Sequence, residues 1–189
     1  MKKLFFRAFF VFFFTFAFFS ITAEDADNSD KNQSLSDLPT SYRGISLGMD
    51  IESVKDVLQS DPLFGYRGER DLSLLPTLNR SSIETAGVSF VSRAWFQFHA
   101  ETLYTMILKL NTDKIDYYSI YSHFEKKYGQ PVKLNPQRAI WENETTRVII
   151  ERPLSVKYID LTVFNELIEQ SNTEKAASEL RRESFVDEF

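Results

Sequence analysis

Between Gly87 and Leu110 the chain alternates, and no other stretch restricts its fold so much. Val88, Phe90, Ala94, Phe96 and Phe98 fall on one side of an extended chain, with Ser92 the small exception, while Ser89, Arg93, Gln97 and His99 fall on the other. Ala100-Glu101 reads as a turn. Thr102 to Leu110 then returns as a partner strand with Tyr104, Met106, Leu108 and Leu110 on one side. One packed face and one wetted face is the habit of an antiparallel sheet. Two strands alone are marginal in water, so further strands or helices have to cover the apolar side.

The flanking segments supply them. Asp50 is a good N-cap for a short helix in which Ile51, Val54, Val57 and Leu58 share a face, and Asp61-Pro62 stops it. Asp71 to Leu75 and Arg80 to Thr85 read as short strands. Asp113 caps a second helix through Tyr128, with Ile115, Tyr118, Ile120, Tyr121, Phe124 and Tyr128 as its stripe. Gly129 and Pro131 end it. Arg138 to Glu142 and Thr146 to Arg152 are strands around an Asn143-Glu144 turn, and Ser155 to Ile159 is another. Asp160 or Thr162 opens a last helix. Strands joined by hairpins rather than by crossover helices predict an α+β fold, an antiparallel sheet with helices packed on one face. A weak internal echo, helix then Asp61-Pro62 then strand against helix then Gly129-Gln130-Pro131 then strand, is compatible with a tandem αββ duplication.

The ends of the chain have a different character. Lys2, Lys3 and Arg7 precede a 12-residue apolar run, Ala8 to Phe19, and Ser20, Thr22 and Ala23 follow it. That order predicts a signal peptide over residues 1–23, cleaved after Ala23 or Thr22. The competing reading is an inner-membrane anchor over residues 4–23, which are just long enough to span a bilayer. Residues 24–41 read as a polar linker, residues 42–170 as one domain, and residues 171–189 as a charged C-terminal extension. The expected location is periplasmic or secreted. Removing the basic start leaves 19 basic against 27 acidic residues, a net charge of −8, which argues against a general nucleic-acid binder. The membrane is expected to be a partner only through the N-terminal segment, if that is uncleaved. The chain has no Cys. Disulfides, thiol catalysis, thiolate metal sites and lipidation at a cleavage-site Cys are therefore excluded.

No catalytic motif stands in its proper context. Gly44-Ile45-Ser46-Leu47-Gly48 has the spacing of a nucleophile elbow, but a polar stretch precedes it and no parallel sheet follows. It reads as a glycine-punctuated approach to the first helix, which leaves hydrolysis at Ser46 a distant third reading. His99 and His123 lack metal-ligand spacing. Gly65-Tyr66-Arg67-Gly68 is neither a Walker loop nor a dinucleotide fingerprint. Glu142, Glu144 and Glu151 read as a solvated hairpin face. No catalytic residue, metal or cofactor is expected. The constellation that suits recognition is basic and aromatic: Tyr66, Arg67, Arg70, Arg80, Arg93 and Trp95. Arg93 and Trp95, two apart in a strand, share a face.

Tyr42-Arg43-Gly44-Ile45-Ser46-Leu47-Gly48-Met49, with Val54 and Leu58, resembles the opening of many small exported bacterial proteins. Phe124 to Pro131 followed by Ala139-Ile140-Trp141-Glu142 resembles a later segment of the same kind. Together they are similar to uncharacterised secreted spirochaete proteins. More distantly they resemble the α+β modules of small outer-membrane-assembly lipoproteins and of β-lactamase inhibitory protein. The resemblance implies a binding or assembly factor rather than an enzyme, and it carries over no functional residue. The expectation is a non-enzymatic envelope protein that binds another envelope protein. The alternative is a carrier or sensor of a small amphipathic ligand.

Overall fold

The computed structural model describes residues 38–75 and 79–186; the signal peptide or anchor and most of the polar linker lie outside them. In chain order the elements are β1 (Ser41–Tyr42), β2 (Ile45–Ser46), α1 (Ile51–Ser60), a 3-10 turn (Gly68–Asp71), β3 (Leu72–Leu75), β4 (Arg80–Ala86), β5 (Val91–His99), β6 (Thr102–Leu110), α2 (Tyr117–Tyr128), β7 (Lys133–Asn135), β8 (Arg138–Glu142), β9 (Thr146–Glu151), β10 (Ser155–Asp160) and α3 (Leu161–Val186). Strands β3 to β10 form one antiparallel sheet in the order β3-β4-β5-β6-β10-β9-β8-β7. Each half is a helix followed by a four-stranded meander, and the last strands of the two meanders pair from Lys109↔Ser155 to Thr105↔Ile159. The fold is α+β, as expected, but each half is αββββ rather than αββ. The outer strand β7 escapes the sequence because Lys133, Leu134 and Asn135 are all exposed and show no alternation.

The two halves start alike. Asp50 accepts hydrogen bonds from the Ser53 N–H (2.9 Å) and hydroxyl (2.6 Å), and Asp116 accepts from the Ser119 N–H (2.9 Å) and hydroxyl (2.7 Å). These caps satisfy donors that the first helical turn leaves orphaned. Asp113 is therefore not the cap of α2; its N–H donates to the Asn111 side chain in the preceding turn. Starting α2 at Tyr117 also moves its stripe. Tyr117, Tyr121, Phe124 and Tyr128 pack inward, whereas Tyr118 is 74 % exposed.

The core lies between these two helices and one face of the sheet. Phe96, Met106, Tyr158, Val148 and Trp141 stand opposite one another across five neighbouring strands, all buried. Val54 and Leu58 of α1 and Phe124 and Tyr128 of α2 close over them. Each fully buried large side chain contributes about 1.5–3 kcal/mol. The Trp141 indole N–H also donates to the Gly129 carbonyl (2.8 Å), which ties the end of α2 to β8. Leu38, within the stretch read as linker, is buried in this core, and the Thr40 carbonyl accepts from the Leu47 N–H.

Three details differ from the expected alternation and from the expected packing of all helices on one face. A register shift between Gln97 and Phe98 places Leu103 opposite Phe98. Leu103 thus enters the core, and Tyr104 turns to the other side, where its hydroxyl donates to Gln97 (3.5 Å). Val88 and Phe90 are half-exposed, because β5 starts only at Val91. The chain doubles back at Gly87, so tightly that a Cβ there would stand 2.3 Å from the Val91 carbonyl oxygen, and Ser89 takes φ +71°. Finally, α3 packs on the opposite face from α1 and α2. Asp160 caps it, and Phe164 packs against Ile140, Ile149 and Ile159. The helix continues through the charged extension to Val186.

Gly87→Ala should lower the thermal midpoint by several degrees, corresponding to roughly 1–3 kcal/mol of overpacking. Gly65→Ala, whose added Cβ would meet the Ala86 carbonyl oxygen at an ordinary 3.5 Å, should change it far less. Equal midpoints by calorimetry would contradict the tight loop.

Asp50 and Asp116 are held below the usual carboxylate range by the serine hydrogen bonds, and Asp61 by the Arg43 guanidinium, whose Nε donates to it (2.6 Å). A lowered folded pKa gives stability that is complete above the unfolded value of about 3.9 and is lost as the pH falls through the folded one. The midpoint should therefore fall as the pH drops from about 5 to about 2 across that window. An Asp50→Asn/Asp116→Asn chain, still capped, should lose less over the same range. Parallel curves for the two proteins would show that these caps do not carry the acid sensitivity.

Candidate functional site

The face of the sheet turned away from α1 and α2 is only partly covered. Its side chains follow from the register: Glu84 of β4 stands opposite Trp95 of β5, Trp95 opposite Ile107 of β6, and Ile107 opposite Lys157 of β10. Trp95, Gln97, Ile107, Lys109, Ser155 and Lys157 line a shallow hollow of about 410 Å³, with Glu151 and Pro153 at its rim. The half-buried Trp95 presents its ring there. Three ion pairs lie along the same face: Arg93–Glu84 (2.7 Å), Lys157–Glu151 and Arg147–Glu142. Pairs this exposed add about 0–1 kcal/mol each to stability. Their more useful effect is to fix long side chains in one arrangement around the apolar floor. Lys109 makes no ion pair among the described residues.

A second hollow, of about 590 Å³, is lined by Arg67, Arg70, Asp71, Glu84 and Arg93 and shares no lining residue with the first. Asp71 is buried and accepts from the Arg67 backbone N–H (3.0 Å), Nε (3.0 Å) and Nη2 (2.6 Å), so that Arg67 holds the 3-10 turn closed. Arg70 is exposed and makes no ion pair among the described residues.

The structure thus places four of the six basic and aromatic candidates in two hollows, Arg67, Arg70 and Arg93 in one and Trp95 in the other. The Arg93 guanidinium lies 6.0 Å from the Trp95 ring centre, at the outer limit of a cation–π contact. Tyr66 is separate. It packs against the core beside α1, and burial raises its hydroxyl pKa. Arg80 is at the far end of β4, opposite His99. Sequence reasoning missed Glu84, Ile107, Lys109, Glu151 and Lys157. The alternation of β6 already places Ile107 and Lys109 on the wetted side, but nothing local predicts that β10 lies beside them.

Ser46, Glu142 and Glu151 are engaged in local contacts. Ser46 pairs with Ser41 in the β1–β2 hairpin, and its N–H donates to the Met49 sulfur (3.1 Å), so it does not sit on a strand-to-helix elbow. Glu142 and Glu151 are held by Arg147 and Lys157. No group of three or more His, Asp or Glu side chains among the described residues is arranged to hold a metal ion. None of the described helices is long and apolar enough to cross a membrane.

Fold and surface together define an α+β protein of two helix-and-meander halves with a partly open sheet face. The chain belongs to the TP0088 domain family, a Treponema pallidum protein family whose model matches residues 40–170. No curated protein and no solved structure matches it.

The two tryptophans report on the two faces separately. Trp141 is fully buried and Trp95 is half-buried at the open hollow. Iodide should quench the Trp95 part of the fluorescence, and the emission left in Trp95→Phe should be blue-shifted and barely quenched. Strong quenching that survives in Trp95→Phe would show the core face to be the open one.

Proposed function

We propose that this is an exported, non-enzymatic envelope protein whose open sheet face binds another envelope protein. The observation that carries the reading is the Trp95 hollow, where a half-buried aromatic ring and Ile107 form an apolar floor within a frame of charged side chains. An aromatic anchor with Arg nearby, bordered by polar groups, is the usual make-up of an energetically dominant contact. Frame and floor stand on paired strands, so little order has to be gained on binding. The basic, Phe-rich start of the chain supports export to the periplasm or beyond. The resemblance to exported binding and assembly modules supports the same role. The net charge of −8 left after that start favours a protein partner over nucleic acid.

Crosslinking and mass spectrometry in the native envelope would test this. Tagged wild type should recover a defined partner, and Arg93→Glu/Trp95→Ala should recover it at least tenfold less. Lys126→Glu, exposed on α2 on the other side of the sheet, should recover it as wild type does. Circular dichroism would establish that both variants are folded. Equal recovery from all three proteins would remove the open face from the interaction.

A further inference from the structure

Where α3 crosses the sheet it leaves a separate hollow of about 380 Å³. One wall is apolar: Phe164, Leu167 and Ile168 come from the first turns of α3, and Tyr104 comes from β6, turned to this side by the register shift. The opposite character comes from two cations, Arg80 of β4 and Lys175 of α3. Arg80 is the unusual one. Its Nε is buried with no hydrogen-bond partner among the described residues, and it makes no ion pair among them. The Nδ1 of His99, directly across from Arg80 in the β4–β5 register, is also buried and unpartnered. Lys175 makes no ion pair among the described residues either. Arg80 also lines a different hollow together with Glu52 and Glu101; it forms an ion pair with neither, and Glu52 is held by Lys55.

A buried donor of a charged group left unpaired is costly, and sites that retain one usually do so for a reason. The fixed fork of Arg suits a carboxylate or another oxyanion better than any neutral group. In the same hollow, Ile168 is 44 % exposed. The volume lies in the range of small-molecule sites, about 300–1,000 Å³. We propose that this hollow binds a small amphipathic carboxylate, with its head between Arg80 and Lys175 and its apolar body against Phe164, Leu167 and Ile168. This gives the carrier-or-sensor reading a place in the fold. None of the residues lining it lines the Trp95 hollow, so either site can fail without the other.

Decanoate is a suitable probe, titrated by calorimetry into the full chain, with 1-decanol and acetate as separate tests of body and head. Decanoate should bind saturably at one per chain and at least tenfold more tightly than either analogue. Arg80→Met and Lys175→Met should each weaken it at least tenfold, while Arg93→Met, outside the hollow, should not. In wild type, decanoate should shift the methyl resonances of Ile168. Lys175 is exposed on a helix, so its variant decides the matter even if Arg80→Met fails to fold. Equal binding of decanoate and 1-decanol, unchanged affinity in Lys175→Met, or no saturable decanoate binding would overturn the proposal. So would attachment to phosphatidylglycerol vesicles without any response to decanoate, which would assign the surface to lipid bilayers.

Discussion

One strand pairing joins the two halves of this molecule and sets the floor of the Trp95 hollow. β6 closes the first meander and β10 closes the second, and the antiparallel seam between them runs from Lys109↔Ser155 to Thr105↔Ile159. Without it there would be two four-stranded sheets, each with a single helix over one face. With it, the core residues Met106 and Tyr158 become neighbours, and the apolar row runs unbroken from Phe96 to Trp141. The same seam forms the floor of the Trp95 hollow. Ile107 and Lys109 come from one side of it, and Ser155 and Lys157 from the other. α3 then straddles the halves, with Phe164 on the strands of the second and Leu167, Ile168 and Lys175 beside Arg80 and Tyr104 of the first.

The seam explains what the sequence conveys and what it withholds. Local physics is readable. The caps Asp50 and Asp160, the stops at Asp61-Pro62 and Gly129, and the alternation of β5 and β6 each follow from a few adjacent residues. Even the shared face of Arg93 and Trp95 follows from a period of two. The partner of β6 does not, because about 45 residues separate Lys109 from Ser155 and side-chain alternation looks the same whichever strand lies alongside. For that reason half of the Trp95 hollow was invisible. The register shift at Gln97/Phe98 fails to announce itself for a different reason. Tyr104 and Leu103 are both apolar enough to face a core, and only the pairing decides between them. Val88 and Phe90 mislead because they continue a pattern whose backbone has already been turned aside at Gly87, where a glycine is required by the approach of Val91.

The two faces of the sheet also differ in how they are held. On the core face the contacts are apolar and interdigitated, with Phe124 packed on Trp141 and Tyr128 at ring separations of 5.6 and 5.3 Å. Substitution there is felt through cavities and strain. On the open face the strands are laced by charge pairs that add little stability but restrict side-chain freedom. A surface so ordered loses less entropy when something docks on it. Its acids Glu84, Glu142 and Glu151 are already committed to Arg93, Arg147 and Lys157, which leaves no free carboxylate among these three to act as a base.

Topological repetition does not extend to surface chemistry. The halves match in helix, cap and meander, and a symmetric molecule would present the same groups twice about the seam. Instead the second half ends in α3, which has no counterpart after β6. That helix covers Ile140, Ile149 and Ile159, an apolar patch on β8 to β10 that would otherwise face water. Having done so, it continues to the first half, where Arg80 and Tyr104 share a hollow with it. The packing that accounts for the start of α3 therefore does not account for its middle. The hollow beneath that middle combines a buried, unpartnered Arg80 Nε with exposed apolar surface, and each of these calls for a different kind of partner. A single amphipathic molecule supplies both.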